Sequence, residues 1–239
     1  MLKMKKIISL VVIFSCLVTS SFAQNKKEAA KEKKDDGSAL FSGLKFRSIG
    51  PALMSGRISD ILIHPDNENL WYVTAGSGGV WKTENAGTTW NSLFDGQKSY
   101  SIGCVALDPQ NPEIVWVGTG ENVGGRHLSF GDGIYKSEDG GSSWENMGLE
   151  KSEHLSKIVI HPTNANIIWA ASQGPLWSEG GERGVYKSTD GGENWNRTLG
   201  DDAWIGATDL LIDPRDPDLL YAATWQRQRT VAGYMGGGP

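Results

Sequence analysis

The chain has 239 residues, with 23 Lys and Arg against 28 Asp and Glu and a formal net charge of −5 at pH 7. That acidic balance argues against nucleic acid or an anionic membrane as a partner, since such binders present a basic surface. Two cysteines, Cys16 and Cys104, are too few for a disulfide framework, so an exported form of the chain has to rest on a packed core, for which its length suffices.

Residues 1–23 read as a removable signal peptide. A basic start (Lys3, Lys5, Lys6) precedes an apolar run from Ile7 to Val18, and the small residues Ser21 and Ala23 flank Phe22. The run is too short to span a bilayer. Its removal would take Cys16 and those lysines with it, leaving a more acidic mature chain with Cys104 as its single cysteine. The expectation is an exported protein, periplasmic, cell-surface or secreted, with no transmembrane segment in the mature chain. Residues 24–43, which include NKKEAAKEKKDDG, have no apolar face to bury and are expected to form a solvated tether.

From Ser59 onward one pattern recurs. Apolar runs end in His-Pro or Asp-Pro at Pro65, Pro109, Pro162 and Pro214, spaced 44, 53 and 52 residues apart. A second β-rich run follows each pair, centred on Tyr72, Trp116, Trp169 and Tyr221, each eight residues after the His or Asp. A third run, GVWKT, GIYKS or GVYKS, appears in three copies and leads into S/T-x-D/N-x-G-x-x-W. The copies of this Trp turn are Thr83-x-Asn85-x-Gly87-x-x-Trp90, Ser137-x-Asp139-x-Gly141-x-x-Trp144 and Ser188-x-Asp190-x-Gly192-x-x-Trp195. The Asp or Asn accepts backbone N–H groups across a tight turn, the glycine supplies positive φ, and the hydroxyl adds a local bond. The Trp ring is expected to cover its own hairpin with its N–H near the turn atoms. The first copy, with Asn85 and Ala86 in place of Asp-Gly, is degenerate.

Four short β-runs per unit of about 50 residues match propeller blades with periodic aromatic motifs. The predicted fold is all-β: a β-propeller of four-stranded antiparallel blades at about 59–93, 103–147, 156–199 and 208–239. The apolar run before each Pro is expected to form the innermost strand. In the fourth unit the third and fourth strands and the Trp turn are not discernible. This predicts about three and a half blades of a larger seven-bladed or tandem propeller, whose remainder beyond Pro239 would be a partner. A compact closure using Phe46–Ile49 as a completing strand is the alternative.

KSEDGGSSW and KSTDGGENW resemble the Asp boxes of BNR-repeat propellers, a group that includes sialidases, sortilin-type receptors and xyloglucan-degrading glycosidases. With GLKFRSIGP and SGRISDILIHP, the stretch from Leu44 to Pro239 most resembles large exported bacterial proteins described as sortilin-like or glycosyl-hydrolase-like. The resemblance implies that the Trp turns are structural and lie away from the ligand face. In xyloglucanase-type relatives a catalytic Asp falls just before the Gly-Gly of the first blade's third strand. The matching stretch Val73–Val80 has Ala75, Gly76 and Ser77 there and no carboxylate. Phe46-Arg-Ser-Ile-Gly-Pro51 is only loosely similar to the arginine motif of sialidases, and its spacing differs.

Ligand-binding candidates lie in the long segments between second and third strands: Glu121, Arg126, His127 and Asp132; then Trp177, Glu179 and Arg183; then Trp225, Arg227 and Arg229. Aromatic rings beside carboxylates and arginines suit a sugar or peptide. His64 and His161 occupy repeat positions held by Asp108 and Asp213 elsewhere, which points to turn bonding. No metal-ligand spacing, phosphate loop or cofactor motif is present. The leading reading is a binding or scaffold propeller for a protein, peptide or glycan. The alternative is an extracellular glycoside hydrolase of xyloglucanase-like type, its catalytic pair incomplete within 1–239.

Overall fold

The computed structural model describes residues 56–123, 125 and 128–238. The expected signal peptide, the tether and the Phe46–Ile49 strand lie outside them, as do Arg126 and His127. The described residues form fifteen strands and no helix, so no helix long and apolar enough to cross a membrane is present among them.

Three sheets repeat one plan. The first contains β1 (Ile58–His64), β2 (Asn67–Ala75), β3 (Gly79–Thr83) and β4 (Asn91–Ser92), paired antiparallel in sequence order. The second is β5 (Ile102–Leu107), β6 (Val115–Thr119), β7 (Ile134–Ser137) and β8 (Glu145–Asn146). The third is β9 (Leu155–Ile160), β10 (Ile168–Ser172), β11 (Gly184–Ser188) and β12 (Asn196–Leu199). The first strand of each sheet packs against that of the next: β1 on β5, β5 on β9, and β9 on β13 (Ile205–Asp213) of the fourth sheet. This is the blade arrangement of a β-propeller.

Hairpin turns from β1 to β2, β5 to β6, β9 to β10 and β13 to β14 (Asp216–Arg229) share one local solution. Asp108 Oδ1 accepts the Gln110 N–H at 2.8 Å, and Asp213 Oδ1 accepts the Arg215 N–H at 2.9 Å. His64 Nδ1 and His161 Nδ1 accept from Asp66 and Thr163 at 3.1 and 3.2 Å. The imidazole therefore replaces the carboxylate as an acceptor two residues upstream, which is why the two residue types interchange.

Between sheets, burial is near complete. Tyr72, Val80, Phe94, Ile102, Val105 and Val117 fill the space between the first two blades, and Cys104, Trp116, Ile134, Leu155 and Ile168 that between the second and third. Burying a large apolar side chain of this kind contributes about 1.5–3 kcal/mol. Burial also pushes the Cys104 thiol up to about 12, so it behaves as a small hydrophobe. Gly103 lets the blades approach closely, since a Cβ there would lie 1.8 Å from the Leu155 carbonyl oxygen.

Within the Trp turns, Ser143 N–H donates to Asp139 Oδ1 at 2.8 Å and Asn194 N–H to Asp190 Oδ1 at 2.9 Å. Ser137 and Ser188 hydroxyls accept the Gly141 and Gly192 amides. Both residues after the Asp or Asn have positive φ: Gly140 and Gly141, Gly191 and Gly192, and, in the first copy, Ala86 at 52° with Gly87. One expectation is corrected. Trp144 and Trp195 do not bond their own turns; their indole N–H groups donate to Leu93 and Met147 carbonyls of the preceding blade, at 3.0 and 2.8 Å. Trp90 alone bonds its own turn, through Gly87 O at 3.0 Å. Gly141 and Gly192 also press on the preceding blade, where a Cβ would come within 2.5 Å of Leu93 and of the Trp116 ring.

The fourth sheet departs from the sequence reading. β14 (Asp216–Arg229) continues well past the point where the other second strands end, and β15 (Tyr234–Gly237) pairs with its far half. Residues 224–236, expected as a loop, are therefore mostly a two-stranded ribbon. Trp225, Arg227 and Arg229 alternate along β14 and share a face. A turn held by Thr230, whose amide donates to Gly233 O at 2.9 Å and whose hydroxyl accepts the Gly233 N–H at 3.0 Å, closes the ribbon.

Candidate functional site

Antiparallel strands alternate in direction, so the Trp turns and the β1–β2 type hairpins lie at one end of the blades. The β2–β3 type loops and the blade-to-blade connections lie at the other. At that second end the loops are stitched to one another. Gly120 N–H donates to Ser101 O at 2.6 Å, Gly131 N–H to Glu153 O at 2.7 Å, and Gln173 N–H to His154 O at 2.8 Å.

Glu121 lies two residues past the end of β6. Its amide donates to Ser101 Oγ at 3.0 Å, and that hydroxyl donates to Gly76 O at 2.9 Å. The side chain is 3 % exposed and lies on Gly76, where a Cβ would sit 2.3 Å from its carboxyl carbon. Arg57 closes the arrangement as a two-pronged ion pair, Nε donating to Oε1 at 2.5 Å and a second nitrogen to Oε2. The first blade's Val73–Val80 stretch has no carboxylate of its own, but the neighbouring blade places one against it.

Asn122 extends toward the fourth blade. Its Oδ1 accepts from Arg227 at 2.7 Å and its Nδ2 donates to Thr208 O at 3.4 Å. The Arg227 guanidinium lies 4.6 Å from the Trp225 ring centre, and Gln173 Nε2 donates to Trp225 O at 3.3 Å. Arg229 stacks on Tyr234 at 4.7 Å, and its amide donates to Leu176 O at 2.8 Å, tying the β10–β11 loop to β14. Trp177 and Trp225 are 41 % and 39 % exposed, and Glu179 is exposed beside Trp177.

Two of the sequence candidates serve the loops themselves. Arg183 is buried. Its nitrogens donate to the carbonyls of Gly180, Gln173, Trp204, Pro175 and Ser178, which uses its five N–H groups and leaves none for a ligand. Asp132 accepts from the Tyr135 hydroxyl at 2.6 Å; burial and this carboxylate push the tyrosine up to about 12.

Sequence reading assigned no site role to several residues found here. His154 is 2 % exposed, edge-on to Phe130, and neither ring nitrogen has a hydrogen-bond partner among the described residues. Burial drives its pKa down to about 4, against the opposing pull of the nearby Glu121 backbone carbonyl and carboxylate. Glu153 has φ of 56°, and burial raises its carboxyl while Arg183 draws it back. Arg57, Asn122 and Gln173 complete the set. Only Gly76, a small residue where a carboxylate was sought, hinted at them. Among the described residues no group of three or more His, Cys, Asp or Glu is placed to hold a metal.

No family model matches the chain. A xyloglucanase of Hypocrea jecorina is 26% identical over 175 residues, covering 67% of this chain and 20% of the relative. An oligoxyloglucan-reducing end-specific xyloglucanase of Emericella nidulans is 23% identical over 190 residues, covering 72% and 22%. The chain thus spans about a fifth of the length of these curated relatives. Among solved structures, an ancestral GH74 enzyme matches with a TM-score of 0.56 and 21% identity, over 72% of this chain and 22% of that one. A GH74 enzyme of Niastella koreensis matches with a TM-score of 0.52 and 22% identity, over 70% and 24%. With the repeated four-stranded blades, these likenesses show a β-propeller fold.

Proposed function

We propose that this chain is part of an exported, carbohydrate-active propeller of glycoside-hydrolase type that holds a glycan across its loop end. The observation that carries the reading is the convergence there of exposed Trp177 and Trp225 with Asn122, Gln173 and Glu121. Flat rings beside hydrogen-bonding side chains on a rigid scaffold suit a sugar chain. Similarity to xyloglucanases over two-thirds of the chain supports the same chemistry, and the signal-peptide-like sequence of residues 1–23 supports export. Hydrolysis requires two carboxyl groups across the scissile bond. Glu121 is one candidate. Glu153 is the second, its raised pKa suiting a proton donor.

A binding-only propeller is the second reading, favoured by the Glu121–Arg57 pair, which occupies both carboxylate oxygens. The deciding experiment incubates the full-length protein with xyloglucan and β-glucan oligosaccharides and follows chain length by mass spectrometry. Cleavage lost in Glu121→Gln supports the hydrolase with Glu121 in its machinery. Cleavage that survives this change places the reacting carboxyl elsewhere, and binding without cleavage favours the second reading.

A further inference from the structure

Arg227 is a buried cation without a counter-charge. It is 7 % exposed, yet its contacts are the Asn122 amide oxygen and the face of Trp225, and no Asp or Glu pairs with it among the described residues. Its Nε–H has no acceptor. Burial lowers its pKa, and the only opposing influence comes from Tyr234. An unpaired buried guanidinium is strongly unfavourable, and native proteins leave few buried polar groups unsatisfied.

The neighbouring groups have the same deficit. His154 Nδ1 and Nε2, Ser152 Oγ and Gln173 Oε1 are buried without partners. They form a connected patch. His154 N–H donates to Ser152 O at 2.6 Å, Gln173 N–H to His154 O at 2.8 Å, and Gln173 Nε2 to the Trp225 carbonyl. Arg227 and Arg183 both disfavour a proton on His154, while Glu121 favours one. The tip of the Arg227 guanidinium, at the rim of this desolvated patch, is therefore a cationic donor that no carboxylate of the described residues balances.

We propose that Arg227 forms a carboxylate subsite for a uronic acid residue of an acidic glycan lying against Trp225. This rests on the carbohydrate reading above and narrows it to a charged sugar. The exposed Trp225 and Trp177 rings favour a sugar over an acidic peptide, because ring faces pack on pyranose C–H surfaces while the arginine takes the carboxylate.

The test is calorimetric titration of the full chain with three probes: a glucuronate-bearing xylo-oligosaccharide, its carboxyl-reduced counterpart and a Glu-rich peptide. The acidic sugar is expected to bind at least about tenfold more tightly than the reduced one, as one charge-assisted contact warrants. Arg227→Gln should bring the two sugars to parity. Arg227→Lys should retain part of the preference. Equal affinity in the wild type overturns the subsite, as does a preference that survives Arg227→Gln. Binding of the peptide as tight as that of the acidic sugar also overturns it. If neither sugar binds, the carbohydrate reading falls with it, whereas neutral binding without acid preference sinks the subsite alone. The wild-type comparison decides even if the variants fail to fold.

Discussion

At the Trp-turn end of the blades, Asp139 and Asp190 have their oxygens filled by local donors, and the indole N–H groups of Trp144 and Trp195 are bonded. At the loop end, Arg227, His154, Ser152 and Gln173 keep buried polar atoms without partners. The first end repeats nearly unchanged from blade to blade, whereas the second differs in every blade. Satisfied, repeated chemistry holds the fold together. Unsatisfied, unrepeated chemistry is tolerated where a ligand can complete it.

On this division, removing bonded groups at the Trp-turn end destabilises, whereas removing unpartnered groups at the loop end does not. The largest effect is expected for Trp144→Ala, which removes a ring packed on Phe94 and an inter-blade hydrogen bond and should destabilise by about 3 kcal/mol in urea unfolding. Trp90→Ala should cost about 1 kcal/mol, because Trp90 is more exposed and bonds only its own turn. At the loop end, His154 makes the protein acid-sensitive. Its pKa is depressed in the fold, so the unfolded chain takes the proton first. Stability is full above about pH 6.5 and should fall by roughly 2–3 kcal/mol as pH drops toward 4, a dependence that His154→Phe removes. Arg227→Met should raise stability by about 1–2 kcal/mol in thermal unfolding while weakening ligand binding, since it replaces an unpaired buried charge.

Smaller effects sharpen the picture of the turns. Ala86→Gly relieves a left-handed φ of 52° and should stabilise by about 0.5–1 kcal/mol, read as a rise in urea midpoint. The smallest change belongs to the exposed turn carboxylates. Bonds from Ser143 and Asn194 hold Asp139 and Asp190 down at about 2, so their contribution persists above about pH 4 and is lost between about 4 and 2. Asp139→Asn, which keeps the acceptor as Asn85 does, should flatten that segment of an acid titration.

Legibility in the sequence followed the range of the interaction. Trp turns were readable because their bonds close within four residues, as between Asp139 and Ser143 or Asp190 and Asn194. The acceptors of Trp144 and Trp195 were not, because they lie 51 and 48 residues upstream. Arg183 looked like a ligand contact from its loop position, but its acceptors are backbone carbonyls, which no residue type announces. Glu121 was identified as a candidate, but its placement on Gly76 depends on how two blades meet. The β14–β15 ribbon was missed because TWQRQR alternates charge with amide and has no apolar face to mark it as a strand.

Trp144 reaches back to Leu93 and Trp195 to Met147, so the acceptor always precedes the donor along the chain. A polypeptide leaving the ribosome N-terminus first would thus offer each new blade a carbonyl already set in a finished neighbour. Assembly gains a direction from this, with each blade serving as the template on which the next one locks.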